Sequence, residues 1–370
     1  MNQIPATTAS PRSQTLFGNA LVFETPFRHR GNRVARKLAF PNRVWEREGR
    51  KIVHMLSLVA LLASSQGLAA AGPGPEGRDE IEKTFQVRPG GILNFDADIA
   101  NVEIVTGDSD RVRVEYTLEF KVKTAPEATD LQQKLSIEMG QTDVTTTNVD
   151  ANTVKVVVRF ADDRNQTLRN KVRLDFRITM PRKFNLDLRT GGSAKVDDLD
   201  GTVEASTLGG SLTLGTVTGP VKATSKGGSL SVGDVGGDLE GRASGGSVKA
   251  GRVNGKALAV AEGGTVSIEE AAELVEATAN GGSVKASISK PPRAACKITA
   301  NAGSIDLQLP ASAAVTVDAA CTAGSIASEF AVAGSGGGEQ TRLKGDINGG
   351  GPALVLRATA GSIHLRKGGQ

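Results

Sequence analysis

Gly209-Gly210-Ser211-Leu212-Thr213-Leu214-Gly215-Thr216-Val217-Thr218-Gly219-Pro220-Val221-Lys222-Ala223-Thr224-Ser225-Lys226 is a unit of 18 residues, and the chain begins it again at Gly227-Gly228-Ser229. The same Gly-Gly-Ser or Gly-Gly-Thr opening stands at Gly191-Gly192, Gly209-Gly210, Gly227-Gly228, Gly245-Gly246, Gly263-Gly264 and Gly281-Gly282, always 18 residues apart. Ala-Gly-Ser replaces it at Ala302, Ala323 and Ala360, where the spacing loosens to 21 and then 37. A fixed period of this length marks a stack of repeated supersecondary units.

Within the 18-residue frame, positions four and six are apolar, as in Leu212 and Leu214, Leu230 and Val232, Val266 and Ile268. Position nine repeats as Leu199, Val217, Val235 and Val253. Positions thirteen and fifteen give Val203 and Ala205, Val221 and Ala223, Val275 and Ala277. A spacing of two is strand periodicity, and the breaks between clusters are corners. Gly201, Gly219, Gly237 and Gly255 at position eleven mark a second corner needing positive φ or a close backbone approach. The expected fold is all-β: a β-solenoid (β-helix) of short strands in 18-residue coils, with the Gly-Gly pairs as structural turns. One coil cannot bury its apolar side alone, whereas stacking creates a continuous core and pairs the backbone groups. Coils ~4.8 Å apart, about nine of them, make a rod on the order of 40 Å long.

Upstream, 72–190 reads as a broader N-terminal β section or cap, and 191–370 as the repeats. Strands are expected at Ile81–Val87, Ile92–Phe95, Val102–Val105, Arg111–Lys123, Thr153–Phe160, Lys171–Met180 and Phe184–Arg189. One short helix is expected at Pro126–Leu135. Val112, Val114, Tyr116, Leu118, Phe120 and Val122 alternate with polar residues, so one face of that strand is buried. The stacking is expected to start within this section.

Phe85-x-Val87-x-Pro89-Gly90-Gly91, then Val102-x-Ile104-x-Thr106-Gly107-Asp108-x-Asp110-x-Val112-x-Val114, then the Gly-Gly-Ser coils, resembles the bacterial "putative adhesin" families of exported β-solenoid proteins over 80–370. The resemblance implies adhesion and brings no active-site residue with it.

Residues 1–71 read as a leader. Arg47, Arg50 and Lys51 precede the apolar run Ile52–Ala63, and Ala69-Ala70-Ala71 supplies small residues for cleavage after Ala71. The first 43 residues are long for such a leader, so a start near Val44 is one reading and a genuine long leader the other. No Cys follows the run to carry a lipid, and no later stretch reaches the 18 apolar residues of a membrane span. The C-terminus shows no hydrophobic tail. The expected location is periplasmic, extracellular or cell-surface.

The net charge of +4 includes ten basic and three acidic residues of the leader; 72–370 hold 34 basic and 37 acidic residues, a net charge of −3. That removes a charge argument for nucleic acid. Glycine is abundant at 45 residues while aromatics are only 4%, which suits narrow stacked coils better than a conventional enzyme core.

Of His29, His54 and His364, only His364 lies after the leader, so histidine-based catalysis and metal sites have no material. The glycine turns lack the recurrent Asp of Ca²⁺-binding repeats, and lack the Lys and following helix of a phosphate cradle. No catalytic residue, cofactor or metal ligand is assigned. Asp197, Asp198, Asp200, Asp234, Asp238, Glu269 and Glu270 gather at coil corners. Paired carboxylates can cleave sugars, but these read as not repeating in one column, and corner acids also keep a stacked sheet soluble. Lys195, Lys222, Lys226, Arg242, Lys249, Arg252, Lys256 and Lys285 read either as a basic stripe or as part of a mixed solvated face. Cys296 and Cys321 are a candidate disulfide or two small core residues. Aligned by their corners they stand four residues out of register, roughly 13 Å along a strand, unless Pro291-Pro292 distorts the coil.

The expected function is non-catalytic binding or adhesion at the cell envelope, toward a polysaccharide, another surface protein or a copy of itself. A self-associating envelope rod and a carbohydrate-active β-helix enzyme remain as alternatives.

Overall fold

A computed structural model describes residues 78–144, 151–161, 170–334 and 341–368; the leader expectation for 1–71 lies outside them. The strands are β1 (Arg78–Gln86), β2 (Gly91–Ala97), β3 (Asn101–Gly107), β4 (Arg111–Phe120), β5 (Leu135–Val144) and β6 (Ala151–Phe160). Then come β7 (Val172–Pro181), β8 (Phe184–Thr190), β9 (Ala194–Val196), β10 (Val203–Thr207), β11 (Leu212–Leu214) and β12 (Val221–Ser225). Next are β13 (Leu230–Val232), β14 (Leu239–Ala243), β15 (Val248–Ala261), β16 (Val266–Ala279), β17 (Val284–Ile288) and β18 (Cys296–Ala300). The last are β19 (Ile305–Pro310), β20 (Val315–Cys321), β21 (Ile326–Ser328), β22 (Arg342–Ile347), β23 (Ala353–Ala358) and β24 (Ile363–Gly368). Helix α1 (Ala125–Lys134) precedes β5, with Pro126 in its first turn, where a missing N–H costs nothing. No helix among the described residues is long and apolar enough to cross a membrane.

The chain is all-β, and its strands join one solenoid-like sheet. In the first of its two long ladders, β9, β11, β13 and the start of β15 pair in parallel, with Ala194, Leu212, Leu230 and Val248 in one column. The second joins β8, β10, β12, β14 and the end of β15, with Leu186, Val203, Val221, Leu239 and Ala257 aligned. A third side is a column of single bridges, Leu199 to Val217 to Val235 to Val253. All these residues are buried, while their alternate neighbours face outward. Burial of small aliphatic side chains from three sides supplies the core.

The glycines are explained by crowding. A Cβ on Gly227 would lie 2.5 Å from the carbonyl oxygen of Gly209, and one on Gly209 would lie 2.6 Å from that of Gly191. Neither they nor the position-eleven glycines use positive φ; a Cβ on Gly237 would stand 2.7 Å from the backbone nitrogen of Pro220. Close approach is therefore the operative reason. Gly210 also receives the buried hydroxyls of Thr207 and Ser225, each 2.9 Å from its carbonyl, so these core polar groups are satisfied.

Three sequence expectations change. Leu135–Val144 forms β5, antiparallel to β6, although its polar residues and central Gly140 gave no strand signal. A register shift between Ala257 and Leu258 sets Leu274, not Val275, opposite Ala257. Cys296 and Cys321 are free and buried, so no disulfide joins them. Cys296 stands opposite Leu354, Leu354 opposite Val317, and Cys321 opposite Ala358; the cysteines are four residues apart in register and have a strand between them.

That intervening strand reflects a departure from chain order at both ends. β2 and β3 lie between the β6–β7 and β8–β9 layers. β23 and β24 lie between the β18–β19 and β20–β21 layers. The outermost layers turn antiparallel, through β4 on β7, β1 on β4, β5 on β6, and β22 on β20. Leu131 of α1 is fully buried before β5, and Phe330 is buried after β21.

Candidate functional site

Strand alternation sends every second side chain of the ladders outward. On the first ladder one outward column runs Glu82, Glu115, Arg177, Glu103, Lys195 and Thr213. It continues through Ser231, Lys249, Ser267, Lys285, Asp306 and His364. Every member is polar or charged, with one residue per strand.

At its N-terminal end this face lines a groove of about 850 Å³. The column from Glu82 to Thr213 lines it, together with Glu80, Thr117, Asp175, Asn101, Ser193 and Ser211. The groove's charges are paired: Arg113 Nη2 lies 2.8 Å from Glu82 on the neighbouring strand and 3.1 Å from Glu115 on its own. Glu103 receives Arg177 and Lys195, each at 3.1 Å. Asn101 Nδ2 donates to Asp175 Oδ1 at 2.9 Å. Tyr116 is buried against Phe176, with ring centroids 5.2 Å apart, and so gives the groove no open aromatic platform. A second groove of about 810 Å³ lies on the other ladder, past Asn94, Asp187, Glu204, Lys222, Glu240 and Leu258. The large apolar side chains exposed among the described residues are Ile81 and Leu208.

The corner carboxylates occupy structural posts. Asp198, Asp234 and Glu270 do share one column, with Thr216 and Arg252 between them, which corrects the reading that these acids do not repeat. Asp198 Oδ1 accepts the N–H of Thr216 at 2.7 Å, Asp234 Oδ1 that of Arg252 at 2.8 Å, and Asp238 Oδ1 that of Lys256 at 2.8 Å. Hydrogen bonds from the Arg252 side chain and backbone hold the Asp234 carboxyl below its ordinary range. A carboxylate kept ionised in this way is the opposite of a general acid. Asp200 lies 3.5 Å from Arg182, and Glu269 3.9 Å from Lys249. The described residues contain no cluster of three or more His, Cys, Asp or Glu able to hold a metal.

The basic residues form no single stripe. Lys195, Lys249 and Lys285 belong to the first ladder, Lys222 and Arg242 to the second, and Arg252 to the third side. Lys195, Lys222, Arg242, Lys249 and Arg252 each have an acidic partner, at 3.1, 3.4, 3.1, 3.9 and 2.6 Å. The mixed solvated face is the observed arrangement.

The family model described as Toastrack DUF4097 matches residues 92–366, which takes in both ladders, the second groove and the first groove apart from its β1 residues. The chain belongs to the Toastrack DUF4097 family. No curated protein matches this Toastrack chain. Among solved structures it is similar to a "putative cell adhesion protein" of Clostridium sporogenes, at 15% identity and a TM-score of 0.23, over 78% of this chain and 100% of that one. A "putative adhesin" of Parabacteroides merdae is 12% identical with a TM-score of 0.33, over 78% of this chain and 97% of that one. A "putative lipid binding protein" of Parabacteroides distasonis is 11% identical with a TM-score of 0.29, over the same shares.

Proposed function

We propose that this Toastrack chain is a non-catalytic binding module, exported to the cell envelope or surface. Its repeat unit is the 18-residue coil turned at Gly-Gly-Ser, and its ligand is an extended hydrophilic polymer, an envelope polysaccharide above all. The unbroken polar column from Glu82 to His364 carries this reading. It offers donors and acceptors at the ~4.8 Å strand repeat, so a repeating ligand can engage many weak contacts at once. A protein partner would call for aromatic or aliphatic anchors; the large apolar side chains exposed among the described residues are Ile81, at the edge of this face, and Leu208, off it.

The carboxylates committed to backbone N–H groups disfavour sugar cleavage. Affinity electrophoresis in gels containing envelope polysaccharide is the direct test. Retardation is expected, and Glu103→Ala with Arg177→Ala should weaken it severalfold while polymer length and reducing ends stay constant. Unretarded migration in every polysaccharide tried, or shortening of the polymer, would sink the proposal.

A further inference from the structure

The layer of β23 and β24 is inserted between two layers that precede it in the chain. β23 is hydrogen-bonded to β18 on one side and β20 on the other, and β24 likewise to β19 and β21. Its inward residues Leu354, Leu356, Ala358, Ile363 and Leu365 are all buried. The serine chain passes through it too: Ser362 N–H donates to Ser304 Oγ at 3.1 Å, and Ser325 N–H donates to Ser362 Oγ at 3.2 Å. The connection from β22 is Asn348-Gly349-Gly350-Gly351-Pro352, with φ of +50°, +88° and +81° at its first three residues. Because β22 and β23 flank opposite sides of β20, this short connection crosses the end of β20.

We propose that the space between the β18–β19 and β20–β21 layers is a strand-accepting site, and that 353–368 are its ligand, a wedge that closes the C-terminal end last. Three features argue for it. The flanking layers present their unpaired edges and inward parity to the same insert: Cys296, Leu354 and Val317 stand in one column, as do Ala300, Ala358 and Cys321. Strand addition supplies main-chain hydrogen bonds on both sides, while alternate pockets select the side chains. The wedge also follows both flanking layers in the chain, so 315–328 must stand without their inner partner, or stacked elsewhere, until it arrives. Completion of this end is thereby tied to delivery of the C-terminal residues.

The test keeps the whole chain. A protease site introduced at Gly350 of the connection allows the folded protein to be cut there. The wedge fragment should stay bound through gel filtration and exchange with excess labelled peptide 353–370. Once it is displaced in mild urea, amide protection over 296–310 and 315–328 should fall about tenfold or more. The native peptide should restore that protection and a scrambled one should not. Release of the fragment with protection unchanged would mean that the two layers pair directly, and would overturn the proposal, as would equal rescue by the scrambled peptide. In the uncut chain, Leu356→Asp should deprotect 296–328 selectively and leave 184–261 protected. Uniform loss, or none, counts against the wedge.

Discussion

Ser229 Oγ accepts the backbone N–H of Ser247 at 3.2 Å, while the N–H of Ser229 is itself received by Ser211 Oγ at 3.2 Å. The hydroxyl at the third position of the repeat is thus an acceptor for the next layer, and Thr265 continues the chain by donating its N–H to Ser247 Oγ at 3.1 Å. Ser229→Ala leaves one N–H to water, and its partial exposure limits the cost to about 0.5–1 kcal/mol. Ser229→Thr should be close to neutral. Replacing Ser211, Ser229 and Ser247 together by Ala should cost roughly the sum, since layers couple mainly to their neighbours. Urea unfolding checks this; an unchanged midpoint in the triple variant would show that the hydroxyl chain is incidental.

Two glycines separate crowding from mere smallness. Gly227→Ala places a methyl 2.5 Å from a backbone oxygen that cannot rotate away, and should cost about 1–3 kcal/mol. Gly241→Ala meets Leu230 Cδ2 at 3.1 Å, the free end of a flexible side chain. There the reduced freedom of the unfolded chain should make it neutral or stabilising by up to about 1 kcal/mol. Thermal unfolding of the pair should move in opposite directions, or at least differ clearly; equal losses would refute the distinction.

The inward columns were legible because a repeat held at one length keeps each apolar residue above its predecessor, as with Leu212, Leu230 and Val248. The stacking order at the ends was not. Ala302, Ala323 and Ala360 count residues along the chain, whereas space orders these corners by which edges remain to be paired, and 360 falls between the other two. The polar parity of the candidate face could be read from Thr213, Ser231 and Lys249. Its groove could not, because β1, β4 and β7 join that ladder from distant sequence. Asp198 and Asp234 looked like solvated or catalytic acids because a carboxylate that caps an N–H one layer away has no local signature beyond its column.

Burial pushes the Cys296 thiol up to about 12. The folded state therefore keeps its proton while the unfolded chain releases it above about pH 8.5, so the unfolded state binds fewer protons and stability falls as pH rises. This group alone should cost up to about 1.4 kcal/mol per pH unit between roughly 9 and 12. Comparing the slope with that of Cys296→Ala removes the shared contributions of other groups; identical slopes would refute the assignment. In native buffer at pH 8, Cys296 should resist thiol reagents and react once guanidinium is added.

Asp234 tests the structural role of the corner acids with the opposite sign. Its carboxyl is held low by hydrogen bonds from Arg252, whose Nη2 lies 2.6 Å from Oδ2. Its stabilising effect is present above the ordinary carboxylate range, near pH 4, and is lost as pH falls through the lowered value. The Asp234 and Arg252 side chains are 38% and 68% exposed, so the ion pair should contribute under about 1 kcal/mol. Asp234→Asn keeps an acceptor for the Arg252 N–H and loses only that charge, so its deficit at pH 7 should shrink as the solution is acidified. Asp234→Ala loses the acceptor as well and should remain less stable than Asn at both ends of the titration, by about 0.5–1.5 kcal/mol. Chemical denaturation at pH 7 and pH 3 distinguishes them. If Ala and Asn behave alike, the carboxylate is not holding the next layer, and a catalytic use for this column becomes open again.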